Sequence, residues 1–412
     1  MGPETATLSL KPISPYHFAF FRIVLGCYLF VHFITLIPYA AEVWGPNGMI
    51  PDPTLNMTAG ILPNPLVWLN SDGFGTGFII TLALLSIAFI IGWQRPLVSL
   101  LLWFGWACLF DRNNLIANPG IPYVGWLLLV CAVVPRGEPL SLSKSRGDVT
   151  WALPRVLYIG AWVLMAVGYT ISGIDKWLAP SWRNGSAIVH LLENPLARDT
   201  WLRTWILGWP DAFHHIMTWC ILAMEVFFLP LTLFRRTRLF AWLGMVSMHL
   251  GILCIVDFAD LTVGMLMIHF FTLDERWLRA SKVNGPVVFF DGVCGLCNSF
   301  IDLLMQEDRG RVLHFSPLQG TSAQERIAEH LAPPLDTVIY QRNGRTFTKS
   351  SAALRVLGDI GGIWKVLTVL LVIPAPVRNA VYDCVARNRY RWFGKKESCR
   401  MPTPEERARF LP

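Results

Sequence analysis

Long apolar runs separated by short polar connections fill the chain up to about residue 274, and the pattern then changes. A helix that crosses the hydrocarbon core of a bilayer needs about 20 mostly apolar residues. Eight runs are candidates for such helices: Tyr16–Ile37, Thr76–Trp93, Pro96–Phe110, Ile121–Val134, Ala152–Ser172, Ala212–Phe234, Leu239–Val256 and Asp260–Leu273. The third, fourth and eighth runs are short, so a re-entrant segment among them would change the number of crossings. The pattern predicts a polytopic α-helical membrane bundle of about eight spans over residues 1–280.

Short strand-like stretches and amphipathic helices replace these runs beyond a boundary near Leu278–Pro286. We expect, in order, a strand at Val287–Phe290, a turn containing Cys294, a helix bearing Phe300, Leu303 and Leu304, a strand at Val312–Phe315, a helix at Ala323–Leu331, a hairpin of Thr337–Tyr340 and Thr346–Lys349 around Asn343–Gly344, and a helix from Ser351. This order predicts a small α/β domain with a thioredoxin-like core over residues 285–402. The apolar stretch Ile363–Ile373 is too short for a further span and is expected to be a packed or membrane-apposed helix.

The composition supports a membrane protein and excludes a soluble enzyme. Hydrophobic residues make up 53% of the chain and charged residues 15%, with a mean hydropathy of +0.45, whereas soluble domains are about a quarter charged. The formal net charge is +7, but the basic residues stand in short clusters beside apolar runs. The positive-inside rule accounts for such clusters without a polyanion. The expected partner is therefore the lipid bilayer, and nucleic acid is not an expected partner.

The distribution of Lys and Arg also predicts the orientation. With the N-terminus inside, the inner segments hold most of the basic residues, namely Lys11, Arg95, Arg136, Lys144, Arg146, Arg235, Arg236, Arg238, Arg276, Arg279 and Lys282. The outer loops then hold Arg112, Lys176, Arg183, Arg198 and Arg203. We therefore expect a multi-pass protein of the plasma (inner) membrane, with the N-terminus and the region after Lys282 in the cytoplasm.

Cys294 and Cys297 form a Cys-x-x-Cys pair at the start of a predicted helix. Unpaired backbone N–H groups and the helix dipole stabilise a thiolate there, so Cys294 is the expected nucleophile and the more exposed, more acidic thiol. Cys297, one turn later, is expected to resolve a mixed disulfide. Half of a zinc site and a pair of inert thiols are the alternatives. The sequence lacks a second Cys-x-x-Cys, or a pair of histidines at the spacing of zinc ligands, to complete a zinc site, so no metal is expected.

The segment Asp291–Cys297 has the pattern D-x-x-C-x-x-C and resembles the signature of the DCC family of thiol-disulfide oxidoreductases. Further similarity to the C-terminal half of that family lies at Ser350–Leu354, Val377–Asn379, Tyr382, Ala386–Tyr390, Gly394 and Cys399. The resemblance covers about residues 285–402 and implies a thioredoxin-like fold with a redox-active centre. Asp291 either accepts a proton near the resolving thiol or caps the turn.

Lys176 lies at the outer end of the fifth apolar run, directly after Asp175. An amine held in an apolar setting has a lowered pKa and can act as a base. A lysine at a membrane interface more commonly extends its ammonium into water. If Lys176 acts as a base, it must line an apolar pocket with Asp175 turned away. If it is an interfacial lysine, its ammonium should lie in water or bond to Asp175.

The segment Ile171–Lys176, followed by Trp182–Gly185, resembles the motif of the vitamin K-dependent gamma-carboxylase family and its bacterial relatives, the horizontally transferred transmembrane proteins. The similarity covers about residues 13–280 and includes Phe21–Gly26 and the neighbourhood of Glu225, Arg238 and His249. In the carboxylases, the lysine that Lys176 matches is the catalytic base. It deprotonates a reduced quinone, whose oxygenation to an epoxide drives carboxylation of glutamate. The resemblance therefore implies a quinone or hydroquinone near Lys176.

The chain also departs from the carboxylase pattern. Asn113–Asn114 resembles an Asn-Asn-His stretch of that family, but Leu115 stands in place of the histidine. The large extramembrane region that engages the peptide substrate is missing from the pattern. These departures favour a quinol or another lipid-soluble substrate over a glutamate side chain. The candidate substrate-binding residues are Trp182, His249, Asn113 and Asn114.

Three histidines, His32, His249 and His269, lie within apolar runs and lack metal-ligand spacing. His249 is a candidate for a role in the site, with structural hydrogen bonding as the alternative for all three. Trp182 is expected to order a lid over a pocket or to be an interfacial tryptophan beside Gly185.

The two halves together predict a membrane-bound thiol-disulfide oxidoreductase with an unknown cytoplasmic thiol partner and a quinone-like substrate in the bundle. In the expected orientation, about 30 Å of hydrocarbon separates Lys176 from Cys294. A mobile quinone is the expected carrier between them, in preference to a relay through Cys108 or Cys254. One alternative is a membrane maturation factor that modifies a peptide or protein by carboxylase-like chemistry at Lys176. Another is a non-catalytic structural or immunity-type membrane protein.

Overall fold

The computed structural model describes residues 13–142, 151–330, 337–396 and 402–412. The chain divides into two compact units, Met1–Leu273 and Asp274–Pro412. Some residues used in the predictions above lie outside the described residues, namely Lys11, Lys144, Arg146, Leu331 and Cys399.

The first unit is helical, and each of the eight predicted apolar runs contains helix. Its α-helices are α1 (Pro15–Leu36), α2 (Ala40–Trp44), α3 (Pro65–Trp68), α4 (Asp72–Ile90), α5 (Arg95–Arg112), α6 (Gly120–Val133), α7 (Arg155–Leu178), α8 (Pro180–Arg183), α9 (Ala187–Leu192), α10 (Trp201–Leu207), α11 (Asp211–Val226), α12 (Phe228–Leu233), α13 (Arg235–Ile255) and α14 (Ala259–Thr272). Short 3-10 helices lie at Ile37–Tyr39, Pro53–Leu55 and Asn114–Ile116.

Fewer helices qualify as membrane spans than the eight predicted. Within the described residues, four helical segments are long and apolar enough to cross a bilayer: Pro15–Trp44, α4, α7 and α13. Helices α6 and α14 have 14 residues each and α11 has 16, which is below the length of about 20 residues that spanning requires. Helix α5 carries three buried charged residues, Arg95, Asp111 and Arg112. The apolar pattern located these helices correctly but overestimated how many are long and apolar enough to cross a bilayer.

Charges buried in the first unit are paired with nearby polar groups. The Arg95 Nε donates to Glu138 Oε1 at 2.8 Å, and the Arg22 Nη1 donates to the Phe89 carbonyl at 2.7 Å. The Arg112 Nη1 donates to the Ile50 carbonyl at 2.7 Å. An unpaired buried charge would cost several kcal/mol, so these arginines join helix ends to their connections. An apolar core from Phe18 to Phe271 lies between the helices.

The second unit contains a four-stranded mixed sheet with helices. Its strands are β1 (Val287–Phe290), β2 (His314–Pro317), β3 (Ile339–Arg342) and β4 (Arg345–Thr348). Its α-helices are α15 (Gly295–Glu307), α16 (Thr321–Ile327), α17 (Lys349–Ile360) and α18 (Ala375–Phe393). Its 3-10 helices lie at Glu275–Trp277, Ala328–His330, Gly362–Val372 and Arg407–Arg409. The predicted order of strands and helices is confirmed.

The sheet order is β2-β1-β3-β4. Strands β1 and β2 are parallel because α15 connects them as a crossover, and β3 is antiparallel to both β1 and β4. The β3–β4 turn has positive φ at both Asn343 and Gly344, as a two-residue hairpin of type I′ requires. The central strand β1 is buried throughout, and its C-terminal end leads directly into the Cys-x-x-Cys turn.

The apolar stretch predicted at Ile363–Ile373 forms the 3-10 helix Gly362–Val372, which meets α18 at a bend of 119°. Counted together as one broken span, this pair would raise the number of candidate spans among the described residues to five.

Candidate functional sites

The Cys-x-x-Cys pair lies at the junction of β1 and α15. Cys294 is the N-cap of α15, and its Sγ accepts a hydrogen bond from the Cys297 backbone N–H at 3.4 Å. The turn before it is held by the Asn298 amide, which donates to the Gly292 carbonyl at 3.0 Å. Free N–H groups at a helix start favour negative charge on sulfur. The turn therefore places the Cys294 sulfur at the start of α15, against a backbone N–H donor.

Both thiols are free, and both are buried. Cys294 is 0% exposed and Cys297 is 9% exposed. The expectation that Cys294 is the more exposed thiol is therefore wrong. Burial, followed by the neighbouring Cys294, raises the pKa of the Cys297 thiol, so Cys297 stays protonated near neutral pH.

A segment distant in sequence covers Cys294. We call this segment, Phe393–Lys396, the strap. The Gly295 N–H donates to the Gly394 carbonyl at 3.2 Å, and the Lys396 N–H donates to the Val293 carbonyl at 2.8 Å. A Cβ at Gly295 would come within 2.2 Å of the Phe393 carbonyl oxygen, so only glycine permits this contact. The strap therefore pairs with the backbone on both sides of the buried Cys294.

Asp291 is buried beside the Cys-x-x-Cys turn and joins it to α18. Its Oδ1 accepts from the Val293 N–H at 3.2 Å, as a cap of the turn does. Its Oδ2 accepts from the Tyr390 hydroxyl at 2.5 Å and from the Arg389 guanidinium at 3.2 Å. Burial and the hydrogen bond to Asp291 raise the pKa of Tyr390. Asp291 thus caps the turn and is paired with a cation, while a role as proton acceptor for Cys297 stays a prediction.

A small apolar cavity of about 170 Å³ lies beside Cys297. Its lining includes Leu296, Phe300, Tyr382 and Ala386. Burial raises the pKa of Tyr382, so its hydroxyl stays neutral, and this hydroxyl accepts a hydrogen bond from the Val338 backbone N–H at 2.8 Å. Cys297, the second cysteine of the motif, thus lies beside an apolar cavity that the sequence pattern did not predict.

In the first unit, Lys176 is paired with Glu225. The Lys176 Nζ lies 2.5 Å from both carboxylate oxygens of Glu225 and 3.1 Å from the Ser172 hydroxyl. Asp175, which the sequence suggested as a partner, is exposed. Because Glu225 follows Lys176 by 49 residues on another helix, no local sequence signal indicated the pair.

The pair depends on a close approach of α7 to α11. A Cβ at Gly173 would lie 2.6 Å from the Val226 backbone nitrogen and 2.9 Å from the Glu225 carbonyl carbon. Only glycine allows the two helix backbones to come this near, since real side chains avoid such distances. Gly173 therefore brings the Glu225 carboxylate within reach of Lys176.

A cavity of about 540 Å³ opens beside this ion pair. Its lining is mostly apolar and includes Lys176, Glu225, Trp182, Tyr169 and His249. The Trp182 ring centroid lies 5.2 Å from the Lys176 Nζ, within the range of a cation–π contact. Two of the residues proposed from sequence, Trp182 and His249, thus share one cavity with Lys176.

Tyr169 links two of the buried histidines. Its hydroxyl lies 2.6 Å from the His249 Nε2 and 2.8 Å from the His269 Nε2. Both histidines therefore have structural hydrogen bonds, and His249 also faces the cavity. Tyr169 was missed in the sequence because a tyrosine in an apolar helix carries no distinguishing pattern.

The described lining of this cavity does not include Asn113 or Asn114. The Asn113 amide donates to the Val43 carbonyl at 2.8 Å, and its Oδ1 accepts from the Leu115 N–H at 3.0 Å. The Asn114 N–H donates to the Asn56 Oδ1 at 3.1 Å. Asn113 thus holds the connection after α5 in place.

His32 lies beside a second cavity of about 310 Å³, where its Nδ1 is 2.8 Å from the Asp260 Oδ1. Among the described residues, no group of three or more His, Cys, Asp or Glu side chains is arranged to hold a metal ion.

Comparison with known proteins concerns the second unit. Residues 288–395 match the family described as DCC1-like thiol-disulfide oxidoreductase. The uncharacterised protein YuxK of Bacillus subtilis is 34% identical over 137 residues, which is 33% of this chain and all of that protein. A chloroplastic DCC family protein of Arabidopsis thaliana is 34% identical over 119 residues, 28% of this chain and 69% of that protein. No solved structure matches the chain.

The family match contains the Cys294–Cys297 turn, Asp291 and the α18 residues that hold it. The relatives are matched over two thirds or more of their own length. Through its C-terminal unit, the chain belongs to the DCC family of thiol-disulfide oxidoreductases.

Proposed function

We propose that the second unit, with its thioredoxin-like order of strands and helices, reduces disulfides by exchange at Cys294 and Cys297. The observation that carries this proposal is the hydrogen bond from the Cys297 N–H to the Cys294 Sγ at the start of α15. This contact and the helix dipole favour the thiolate that exchange requires. Cys297, one turn later, is in position to resolve the mixed disulfide.

In this reaction the Cys294 thiolate attacks one sulfur of a substrate disulfide, and the other substrate sulfur leaves as a thiolate that takes up a proton. Cys297 then loses its proton and attacks Cys294, which releases the second substrate thiol. The substrate gains two electrons, and the chain gains a Cys294–Cys297 disulfide. Because burial raises the pKa of Cys297, its deprotonation is the step that needs assistance.

A trapping experiment tests this proposal. The reduced chain is mixed with a peptide whose cysteine carries a 2-nitro-5-thiobenzoate group, and nitrothiobenzoate release is followed. Cys297→Ser should attack once and retain the peptide as a stable mixed disulfide on Cys294, which peptide mass spectrometry identifies. Cys294→Ser should neither release the chromophore at the site nor retain the peptide. Retention of the peptide on Cys297 in the Cys294→Ser chain would reverse the assigned roles.

For the first unit we propose a multi-pass plasma-membrane domain that holds a lipid-soluble, quinone-like substrate beside Lys176. The support is a mostly apolar cavity of about 540 Å³ in which the Lys176–Glu225 pair, Trp182 and His249 meet. Apolar cavities with a few convergent polar groups are typical ligand sites. Transfer of the ammonium proton from Lys176 to Glu225 would leave a neutral amine to accept a proton from a quinol hydroxyl.

Lys176→Ala tests this second proposal directly. Binding of reduced menadione, a naphthohydroquinone without a long tail, is measured by equilibrium dialysis with the purified chain in detergent. The wild type should bind the hydroquinone, and Lys176→Ala should bind it at least several-fold more weakly. Equal binding by both chains would remove Lys176 from the site, and the first unit would then serve the thiol unit as a membrane anchor. Carboxylase-like modification of a peptide at Lys176 is the competing use of the same cavity.

Coupling between the sites is a further part of this proposal. The quinone would carry electrons through the lipid, and the Cys294–Cys297 pair would exchange them with a cytoplasmic thiol partner. A chain with Cys294→Ser should then still bind the hydroquinone but lose turnover that depends on a thiol reductant such as dithiothreitol.

A further inference from the structure

The strap pairs with the Cys-x-x-Cys turn as a short antiparallel strand. Cys294 stands opposite Lys395, with one backbone hydrogen bond on either side, Gly295 N–H to Gly394 and Lys396 N–H to Val293. In antiparallel pairing, opposite residues of this kind form the closer, non-hydrogen-bonded pair, with Cα atoms about 4.5 Å apart. Disulfides join residues whose Cα atoms are about 4.4–6.8 Å apart. A cysteine at the place of Lys395 would therefore lie within disulfide reach of Cys294.

The pairing of the strap with the turn also blocks the proposed thiol-disulfide exchange at Cys294. Cys294 is fully buried, and the Phe393 carbonyl lies over Gly295. A substrate disulfide must approach the Cys294 Sγ, so the strap must leave before exchange. Its departure would free the Val293 carbonyl and the Gly295 N–H, which then need new partners. An extended peptide supplies one N–H and one C=O at the required spacing, as in strand addition to an exposed edge.

We propose that the strap is an internal stand-in for the substrate, and that the substrate is an extended polypeptide segment whose disulfide-bonded cysteine takes the position of Lys395. This inference rests on the proposed thiol-disulfide exchange. The residue after the substrate cysteine donates its N–H to Val293, and the residue before it accepts from Gly295. The substrate cysteine then faces Cys294 directly.

The strap is suited to leaving its place. Two backbone hydrogen bonds join it to the turn, and the Lys395 Nζ lies 5.6 Å from the Tyr390 ring centroid. The residues Phe393, Gly394, Lys395 and Lys396 are all exposed. Gly394 has φ +77, a left-handed conformation that glycine adopts without strain, directly after the end of α18. The segment can therefore swing at Gly394 while α18 keeps Arg389 and Tyr390 on Asp291.

The chemical step balances within the proposed complex. The Cys294 thiolate attacks the sulfur of the substrate cysteine, which forms the Cys294 mixed disulfide and breaks the substrate disulfide. The displaced substrate sulfur leaves as a thiolate and takes a proton from water. Cys297 later displaces the first substrate cysteine, so the electrons come from the two thiols of this chain.

A cysteine placed in the strap tests the register. In a Cys297→Ser background, Lys395→Cys should form a disulfide with Cys294 on treatment with diamide, which accepts the two electrons and two protons. Peptide mass spectrometry locates the bond. Lys396→Cys is the matched control, because successive side chains of a strand point to opposite faces. Equal cross-linking by the two variants, or none with Lys395→Cys, would overturn the proposed register.

The strap's role as a cover is tested by removing one hydrogen bond. Lys396→Pro lacks the N–H that donates to Val293, whereas Lys396→Ala keeps it and serves as the matched control. Alkylation of Cys294 by iodoacetamide should be about tenfold faster in Lys396→Pro and unchanged in Lys396→Ala, because local opening limits access to a buried thiol. The exposed Cys384 is the internal reference, and its rate should be the same in all three chains. Equal Cys294 rates in all three chains would show that the strap does not control access.

Two N-methylated peptides separate docking from simple access. Both carry nitrothiobenzoate on one cysteine, and one is N-methylated at the residue after the cysteine while the other is N-methylated at the cysteine itself. Only the peptide that is methylated after the cysteine loses the N–H that would bind the Val293 carbonyl. The Lys396→Pro chain should therefore reduce the disulfide of this peptide several-fold more slowly than that of the other peptide. Equal rates would overturn the peptide-docking inference while leaving exchange intact. If neither peptide reacts although Cys294 is rapidly alkylated, the proposed function itself fails.

Discussion

The thiol site and the Lys176 site each hold a reactive group near a helix end, but they are assembled differently. Cys294, Cys297 and Asp291 lie within seven residues of one another, and one strand–helix junction positions all three. Lys176, Glu225 and His249 come from α7, α11 and α13. The first site depends on local backbone geometry, whereas the second depends on how closely helices pack.

This difference decides what controls each site. In the proposed reaction, residues close in sequence provide the thiol chemistry at Cys294, and a distant segment, the strap, controls access to it. In the site proposed at Lys176, the distant residue Glu225 would take part in the chemistry, because its carboxylate is the partner of the ammonium. A change in remote packing should therefore alter access at the first site and reactivity at the second.

The largest expected effect separates the two sites completely. In a chain whose exposed Cys384 is replaced by serine, Cys294→Ser should lower the rate of peptide reduction to the rate without protein, because a serine hydroxyl cannot replace the thiolate. Lys176→Ala should leave this rate within experimental error, and Cys294→Ser should leave hydroquinone binding unchanged. Loss of peptide reduction in Lys176→Ala would show that the sites are not chemically independent.

The expected orientation predicts an all-or-none labelling result. Cys294 is a poor reporter because it is buried, but Cys384 on α18 is exposed. In a chain with Cys384 as its single cysteine, a membrane-impermeant maleimide should not label intact cells and should label after lysis. Labelling before lysis would place the thiol unit outside and contradict the orientation inferred from Lys and Arg.

A smaller effect is expected from a methyl group between α7 and α11. Gly173→Ala places a Cβ 2.6 Å from the Val226 backbone nitrogen, so the helices must separate and the Lys176–Glu225 contact must lengthen. We expect hydroquinone affinity to fall about tenfold, equivalent to about 1.4 kcal/mol. Gly77→Ala in α4 is the control, because its Cβ would meet no atom within 4 Å. Equal affinity for both variants would show that the pair does not depend on this close approach.

The smallest expected effect is a shift in pH dependence at the thiol site. Burial, Cys294 and the Asp291 carboxylate all raise the pKa of Cys297, with burial the largest cause. Asp291→Asn removes one negative charge, so the pKa of Cys297 should fall and resolution of the mixed disulfide should become faster at lower pH. We expect a shift of about one pH unit, the effect of one nearby charge. Stopped-flow release of the peptide from Cys294 measures it, and slower resolution at every pH would instead make Asp291 the proton acceptor.

The sequence predicted the elements that depend on short-range chemistry. The Asn343–Gly344 turn, the strand Val287–Phe290 and the helix after Cys294 follow from positive φ, β-branched and aromatic residues, and the Cys-x-x-Cys spacing. The positions of the helices in the first unit followed from apolar runs in the same way. The number of membrane spans did not follow from the apolar runs. The pattern did not predict where each helix ends or that three charged residues in α5 are buried.

By itself, the sequence determined the candidate residues for the chemistry, namely the thiol pair Cys294 and Cys297, their neighbour Asp291, and Lys176. Only the tertiary structure decided that Cys294 is buried, that the strap pairs with the turn around it, and that Glu225 pairs with Lys176. The physical reason is the range of the interactions. A turn and a helix start are set by neighbouring residues, whereas the strap reaches Cys294 across about a hundred residues and Glu225 reaches Lys176 only because Gly173 lets two helix backbones meet.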